Sequence, residues 1–131
     1  MELRNFINGK FIDSISKQNI PVLNPSNQKI VGNIDEALDE EINLAFESAK
    51  KTFDKRVLVD MGAKEKSIMM TAIANKLREK KLEGGRILSQ ENGKTLAQCV
   101  GEFEGAANTF DFYAGLTDKI DHKIIPSGTD T

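Results

Sequence analysis

A single cysteine, a single histidine, one tyrosine, no tryptophan and three prolines stand among the 131 residues of this chain. Each shortage excludes something. One cysteine cannot close a disulfide within the chain, and one cysteine with one histidine cannot supply the three or four ligands of a protein zinc site. The longest unbroken apolar runs are three residues, such as Val57-Leu58-Val59 and Ile68-Met69-Met70, whereas a helix crossing a membrane needs about 20. An excess of charge is missing too. Eighteen Lys and Arg against twenty Asp and Glu leave a net charge of -2, so nothing draws the chain to a phosphate backbone or an anionic lipid surface. Neither nucleic acid nor membrane is expected as a partner. Residues Met1 to Asn5 lack the cationic stretch and apolar run of a secretory signal, and a cytoplasmic location is expected. The remaining composition, 39% hydrophobic and 29% charged, fits one soluble domain.

The order of residues predicts an α+β fold, with N-terminal β-hairpins followed by three to four helices. Strands are expected over about 5–34, helices over about 39–120, and an unfinished turn-rich tail over 121–131. Phe6-Ile7 and Lys10-Phe11-Ile12 flank Asn8-Gly9, a dipeptide that tolerates the positive φ of a two-residue type I′ turn. A second pair, Ile20 to Leu23 and Lys29 to Ile34, flanks Asn24-Pro25-Ser26-Asn27, where proline presets one torsion and its polar neighbours bond locally. From Ile42 the spacing becomes helical. Ile42, Ala45, Phe46, Ala49 and Phe53 fall on one face. Asp39 is expected as the N-cap, with Glu40 and Glu41 in the first turn and Lys50, Lys51 and Lys55 near the end, a distribution that complements the helix dipole.

A second helix is predicted from about Ala63 to Lys80, carrying Met69, Ile73 and Leu77 on its apolar side and Lys76, Arg78, Glu79, Lys80 and Lys81 on a solvated face. Gly84-Gly85 then costs about 2 kcal/mol of helix propensity relative to two alanines, which suggests a break and a separate short helix up to Asn92. Gly93 is placed to end it in the left-handed conformation. Thr95 and Gln98 match a capping box. The helix they open carries Leu96, Val100, Phe103, Ala107, Phe110 and Ala114 as a continuous seam, and Gly101 and Gly105 suggest a tight helix crossing. No internal repeat or linker divides residues 1–131, which are expected to form one domain.

Reactive constellations are sparse. Cys99 lies beside the apolar seam without a basic neighbour and is expected to pack as a small hydrophobe. His122, between Asp121 and Lys123, reads as a solvated side chain. Gly93-Lys94-Thr95 resembles the end of a phosphate-binding loop, but the glycine required five positions earlier is Leu88. No Gly-x-Gly-x-x-Gly follows a strand. Glu102, Glu104 and Asp111 are expected to face water. No catalytic and no cofactor-binding residue is assigned within the chain.

The sequence of features nevertheless resembles the N-terminal part of the NAD(P)+-dependent aldehyde dehydrogenase superfamily over nearly its whole length. Phe6-Ile7-Asn8-Gly9-Lys10-Phe11 is similar to that family's opening Ile-Asn-Gly-x-aromatic hairpin, and Leu23-Asn24-Pro25-Ser26-Asn27 to the Asn-Pro turn that follows. Ile42 to Phe53 resembles the first family helix. Met61-Gly62-Ala63-Lys64-Glu65-Lys66 resembles the start of the second, although the family usually has Arg where Lys66 stands. Glu91-Asn92-Gly93-Lys94-Thr95-Leu96 and Phe110-Asp111-Phe112-Tyr113-Ala114-Gly115 complete the series. Each motif is weak alone, and their order makes the combination specific. Tyr113-Ala114-Gly115-Leu116 is similar to the ending found in betaine-aldehyde-type members.

The resemblance implies an α/β enzyme in which a cysteine thiolate attacks an aldehyde, hydride passes to NAD or NADP, and a glutamate directs hydrolysis of the thioester. In the family those groups lie downstream of the segments matched here, and Cys99 corresponds to no family nucleophile. The resemblance further implies a K+ or Na+ ion held by oxygens of Val22, Leu23 and Glu91. The expected role is therefore an N-terminal scaffold of an aldehyde dehydrogenase, whether a truncation, a separately produced domain or the product of an interrupted gene, inactive by itself. The alternative is an autonomous, noncatalytic interaction module that uses the 96–114 seam, with self-association through exposed apolar helix faces.

Overall fold

The computed structural model describes residues 2–121, so the readings of His122 and of the tail beyond it lie outside the described residues. Five strands precede three helices: β1 (Glu2–Leu3), β2 (Asn5–Ile7), β3 (Lys10–Ile12), β4 (Asn19–Leu23), β5 (Ile30–Asp35), α1 (Asp39–Asp54), α2 (Ala63–Asn92) and α3 (Leu96–Ala114). The α+β class is as expected. β2 and β3 form the predicted hairpin with Phe6 opposite Phe11, and Asn8 and Gly9 adopt φ of 52° and 77°, the left-handed pair that a type I′ turn requires. The two rings meet edge to face, with centroids 4.9 Å apart.

The second sheet has the order β1-β5-β4, with β4 antiparallel to β5 and β1 parallel to it. β1 is absent from the sequence reading. Its pairing, Glu2 with Asn33 and Leu3 with Ile34, joins segments far apart in the chain and leaves no turn signature to read.

Three other expectations are corrected by packing. α1 is capped at Leu38, not Asp39. The Glu41 carboxylate performs the capping from inside the helix, accepting the Leu38 N–H at 3.0 Å. Its other oxygen accepts from Asn5 Nδ2 at 3.2 Å and the Ile15 N–H at 3.4 Å. At 1% exposure Glu41 is the largest fully buried side chain among the described residues, and it ties α1 to the hairpin and to the strap that follows. With its donors supplied, the carboxylate escapes the penalty of an unpaired buried charge.

Second, α2 runs unbroken from Ala63 through Gly84-Gly85 to Asn92, so there are three helices among the described residues and no separate short one. Third, the glycines that permit the close crossing are these two, not Gly101 and Gly105. A Cβ at Gly84 would stand 2.0 Å from Phe103 Cζ, and one at Gly85 would stand 2.8 Å from Val100 Cγ2 and 3.1 Å from the Val100 backbone nitrogen. Gly101 and Gly105 have open space beside them. The seam of α3 therefore faces α2. Among the described residues the buried apolar ones are all small: Ala74, Cys99, Ala107 and Ala114. By contrast the α1 stripe forms as predicted but stays largely uncovered, with Phe53 78% exposed.

Adding a methyl group at Gly85 forces it against the α3 backbone, and Gly85→Ala is expected to destabilise the chain by about 1–3 kcal/mol through overpacking. Gly101→Ala has room and should instead stabilise by about 0.5–1 kcal/mol. Urea denaturation followed by helical circular dichroism measures both. Phe103→Leu should rescue part of a Gly84→Ala defect, where the obstacle is a ring, and none of the Gly85→Ala defect, where it includes backbone.

Candidate functional site

Val22 and Leu23 end β4, and the turn after them is closed by its own polar groups. The Asn24 side chain accepts the Ser26 N–H at 2.9 Å, the Asn24 carbonyl accepts the Gln28 N–H at 2.7 Å, and the Asn27 side chain accepts the Lys29 N–H at 3.0 Å. Glu91 lies in the last turn of α2, half-buried. Immediately beyond it Gly93 ends the helix with φ of 78°, as the sequence predicted. A Cβ there would stand 2.9 Å from Pro25 Cγ. The contact between Pro25 and Gly93 thus sets the segment carrying Val22 and Leu23 beside the segment carrying Glu91. Among the described residues no three His, Cys, Asp or Glu side chains cluster as a metal site.

The Gly93-Lys94-Thr95 segment is committed elsewhere. Lys94 pairs with Glu102, which raises the lysine's pKa through that hydrogen bond and its charge. Thr95 Oγ1 accepts the Gln98 N–H at 3.4 Å, and the Thr95 N–H returns a bond to Gln98 Oε1 at 3.2 Å, so the predicted capping box is present. Cys99 is fully buried, as expected of a packing residue.

A polar bridge between α2 and α3 corrects the expectation of solvation for Arg78, Lys81, Glu104 and Asp111, while Lys76, Glu79, Lys80 and Glu102 are exposed as expected. Arg78 Nε donates to Glu104 Oε1 at 2.8 Å, and its Nη2 reaches Asn108 Oδ1 at 2.8 Å and Asp111 Oδ2 at 2.7 Å. Lys81 donates to the second Glu104 oxygen at 2.9 Å. Sequence reasoning missed this cluster, although the signal exists: Glu104, Asn108 and Asp111 share one face of α3 by their spacing, as do Arg78 and Lys81 on α2.

A concave surface lies between the β2–β3 hairpin and α1. Phe6, Ala45, Ala49, Phe53 and Val57 line it, with Asn8, Ser48, Thr52 and Arg56 as its polar members. Sequence periodicity located the α1 stripe but not the groove, because the hairpin wall comes from a separate segment.

Comparison with known proteins decides the family. Residues 11–131 match the model of the aldehyde dehydrogenase family. The chain belongs to the aldehyde dehydrogenase family. It is 34% identical over 121 residues to the peroxisomal aminoaldehyde dehydrogenase 1 of Pisum sativum, covering 90% of this chain and 24% of that protein. It is 31% identical over 122 residues to the betaine aldehyde dehydrogenase of Bacillus subtilis, covering 93% of this chain and 25% of that one. Among solved structures, betaine aldehyde dehydrogenase from Staphylococcus aureus in complex with NAD+ aligns with a TM-score of 0.84 at 27% identity, over 97% of this chain and 25% of that chain. An NAD-dependent aldehyde dehydrogenase from Sinorhizobium meliloti aligns with a TM-score of 0.85 at 27% identity, over 92% and 24%. This aldehyde dehydrogenase chain therefore spans about a quarter of the length of the relatives it matches, and it has the fold of their N-terminal region.

Helix N-termini are the usual cradle for the phosphates of a dinucleotide. Those of α1 and α2 carry capping carboxylates, Glu41 and Glu65, which would repel an anion, and that of α3 is closed by Thr95 and Gln98. None of the three fits a dinucleotide phosphate.

The Arg78 hydrogen bond, followed by that of Lys81, holds the Glu104 carboxyl below its ordinary range. A depressed carboxylate contributes stability that is complete above its unfolded pKa of about 4.3 and is lost as pH falls through the lower folded value. Acidification from neutral pH to below about 4 should therefore lower the urea midpoint, and Glu104→Gln should flatten that part of the profile. Lys76 and Lys80 lower Glu79 and Glu83 in the same way, so the variant removes only the share due to Glu104.

Proposed function

We propose that this chain is the N-terminal scaffold of an enzyme that oxidises an aldehyde to a carboxylic acid with NAD+ or NADP+, of the betaine-aldehyde or aminoaldehyde type, and that it acts in the cytoplasm. The observation that carries the reading is the structural match over 97% of the chain to a betaine aldehyde dehydrogenase with NAD+ bound. The names of the sequence relatives point to the same substrate class, aldehydes bearing an amino or trimethylammonium group. Residues of this chain supply shape and not chemistry. Cys99, the one thiol, is sealed between α2 and α3, out of reach of an aldehyde. Glu41 fixes α1 on the hairpin, while Gly84 and Gly85 let α3 lie close on α2. These contacts present the outer surfaces of the helices to whatever packs on them.

A K+ or Na+ ion held by oxygens of Val22, Leu23 and Glu91 belongs to this proposal. The Pro25 to Gly93 contact supports it by setting the two segments side by side, and a hard monovalent cation suits carbonyl and carboxylate oxygens. The interaction-module reading has less support, because the 96–114 seam it relies on is turned toward α2.

The test is a chimera. Residues 1–131 replace the matching N-terminal quarter of the Bacillus subtilis betaine aldehyde dehydrogenase, and NADH formation from betaine aldehyde is followed by absorbance. Activity within about tenfold of the parent is expected, with none from residues 1–131 alone. A soluble, folded chimera without activity, or turnover by the isolated chain, overturns the scaffold reading. In the active chimera, replacing potassium by choline should lower the melting temperature, and Glu91→Gln should abolish that difference.

A further inference from the structure

Asn-Gly occurs twice in the chain, at Asn8-Gly9 and Asn92-Gly93. Both asparagines are exposed, and both glycines have positive φ, 77° and 78°. The dipeptide matters chemically because a backbone nitrogen can attack the side-chain amide of the asparagine before it, which makes asparagine a heat-labile residue. Glycine, having no Cβ, hinders that approach least. Sequence and exposure do not distinguish the two sites, but their hydrogen bonds do.

At the second site the reacting groups are engaged. The Gly93 N–H, whose nitrogen is the nucleophile, donates to the Ser89 carbonyl at 3.0 Å. Asn92 Oδ1 accepts the Lys94 N–H at 2.8 Å, and Pro25 packs on Gly93 so closely that a Cβ there would stand 2.9 Å from Pro25 Cγ. Asn92 is the last residue of α2, so turning its side chain over the Gly93 nitrogen requires the helix end to open. At the first site, among the described residues, neither the Asn8 side chain nor the Gly9 N–H has a hydrogen-bond partner. Nothing lies within 4 Å of where a Gly9 Cβ would stand. The hairpin around it pairs Asn5 to Ile7 with Lys10 to Ile12 and joins no further strand. A two-stranded hairpin is marginal by itself and opens locally at low cost.

We propose that Asn8 is a site of spontaneous covalent modification, deamidation to aspartate and isoaspartate, and that the fold spares Asn92. The Gly9 nitrogen forms a bond to Asn8 Cγ as the Cγ–Nδ2 bond breaks. Nδ2 keeps its two protons, takes the one from the Gly9 nitrogen and leaves as ammonia, and the chain is left as a cyclic imide. Water then opens the imide, with nothing oxidised or reduced. Addition at Cγ returns a normally linked aspartate. Addition at the Asn8 backbone carbonyl carbon leaves Gly9 joined through Cγ, an isoaspartate with an additional backbone carbon in the turn. Either product adds one negative charge to a chain of net charge -2. Aspartate tolerates the φ of 52° found at Asn8. Isoaspartate lengthens the turn, which misaligns Phe6 with Phe11 and strains Asn5, a donor to the buried Glu41 carboxylate.

The full chain is incubated at mildly alkaline pH, and peptide mapping by mass spectrometry follows asparagine, aspartate and isoaspartate at both sites. Asn8 is expected to convert at least about tenfold faster than Asn92, the ratio given by opening free energies that differ by about 1.4 kcal/mol, with isoaspartate among its products. In urea sufficient to unfold the chain, the two sites should convert at similar rates. Asn8→Gln should remove the fast conversion, because its longer side chain closes a larger ring, and circular dichroism establishes that this variant is folded. Chain aged to isoaspartate should unfold at lower urea than fresh Asn8→Asp, which carries the new charge without the extra carbon. Equal rates in the folded chain, faster loss at Asn92, or a ratio that persists in urea overturns the proposal. So does an aged chain whose unfolding midpoint equals that of Asn8→Asp.

Discussion

The closeness of α3 to the backbone of α2 is the constraint from which the helical half of the chain follows. Val100 can rest on α2 only because Gly85 has no side chain, and the Phe103 ring occupies the space that a Cβ at Gly84 would take. Two glycines in a helix interior cost about 2 kcal/mol of propensity. Contact between closely fitted surfaces offsets that cost, since each atom pair contributes little and a close crossing makes many of them. Val100 and Phe103 fill the space the glycines leave, while the apolar residues buried among those described are small: Ala74, Cys99, Ala107 and Ala114. With the helices this near, Arg78 and Lys81 reach Glu104, Asn108 and Asp111 from one helix to the other. Partly exposed ion pairs of this kind are individually modest. Their larger effect is to fix the rotational setting of α3, because the Arg78 guanidinium meets Asn108 and Asp111 through one nitrogen and Glu104 through another.

Features specified by neighbouring residues were readable in the sequence. Asn8-Gly9 encodes its turn in two residues, Thr95 and Gln98 encode a cap in four, and Gly93 ends α2 in the conformation that favours glycine. Features that need two distant segments were not readable. β1 becomes a strand only because β5 lies alongside it, and Glu41 becomes the cap of α1 only because Asn5 and Ile15 share its carboxylate. The same reason explains the misplaced crossing. Gly101 and Gly84 look alike in one dimension, and only the partner helix distinguishes a glycine facing it from one facing water.

The candidate sites divide in the same way. Val22, Leu23 and Glu91 could be named from motif resemblance, but the contact that sets their segments together, Pro25 against Gly93, is a tertiary fact. Family membership was legible earlier than any single site because it rested on the order of several weak motifs along the chain, and order survives the loss of any one of them. Lys66 departs from the usual arginine without disturbing the start of α2, where Gly62 and Glu65 supply the cap.

Charge along α1 connects helix stability to surface chemistry. Asp39, Glu40 and Glu41 occupy its first turn, and Lys50, Lys51 and Lys55 gather near its end, which opposes the helix dipole at both termini. A lysine reversed there loses a dipole interaction of about 0.3–1 kcal/mol, too little to unfold a helix that Glu41 still anchors to the hairpin. The charge of that surface can therefore change without loss of the scaffold, and the scaffold's stability depends far more on Glu41 and the two glycines of α2 than on those lysines.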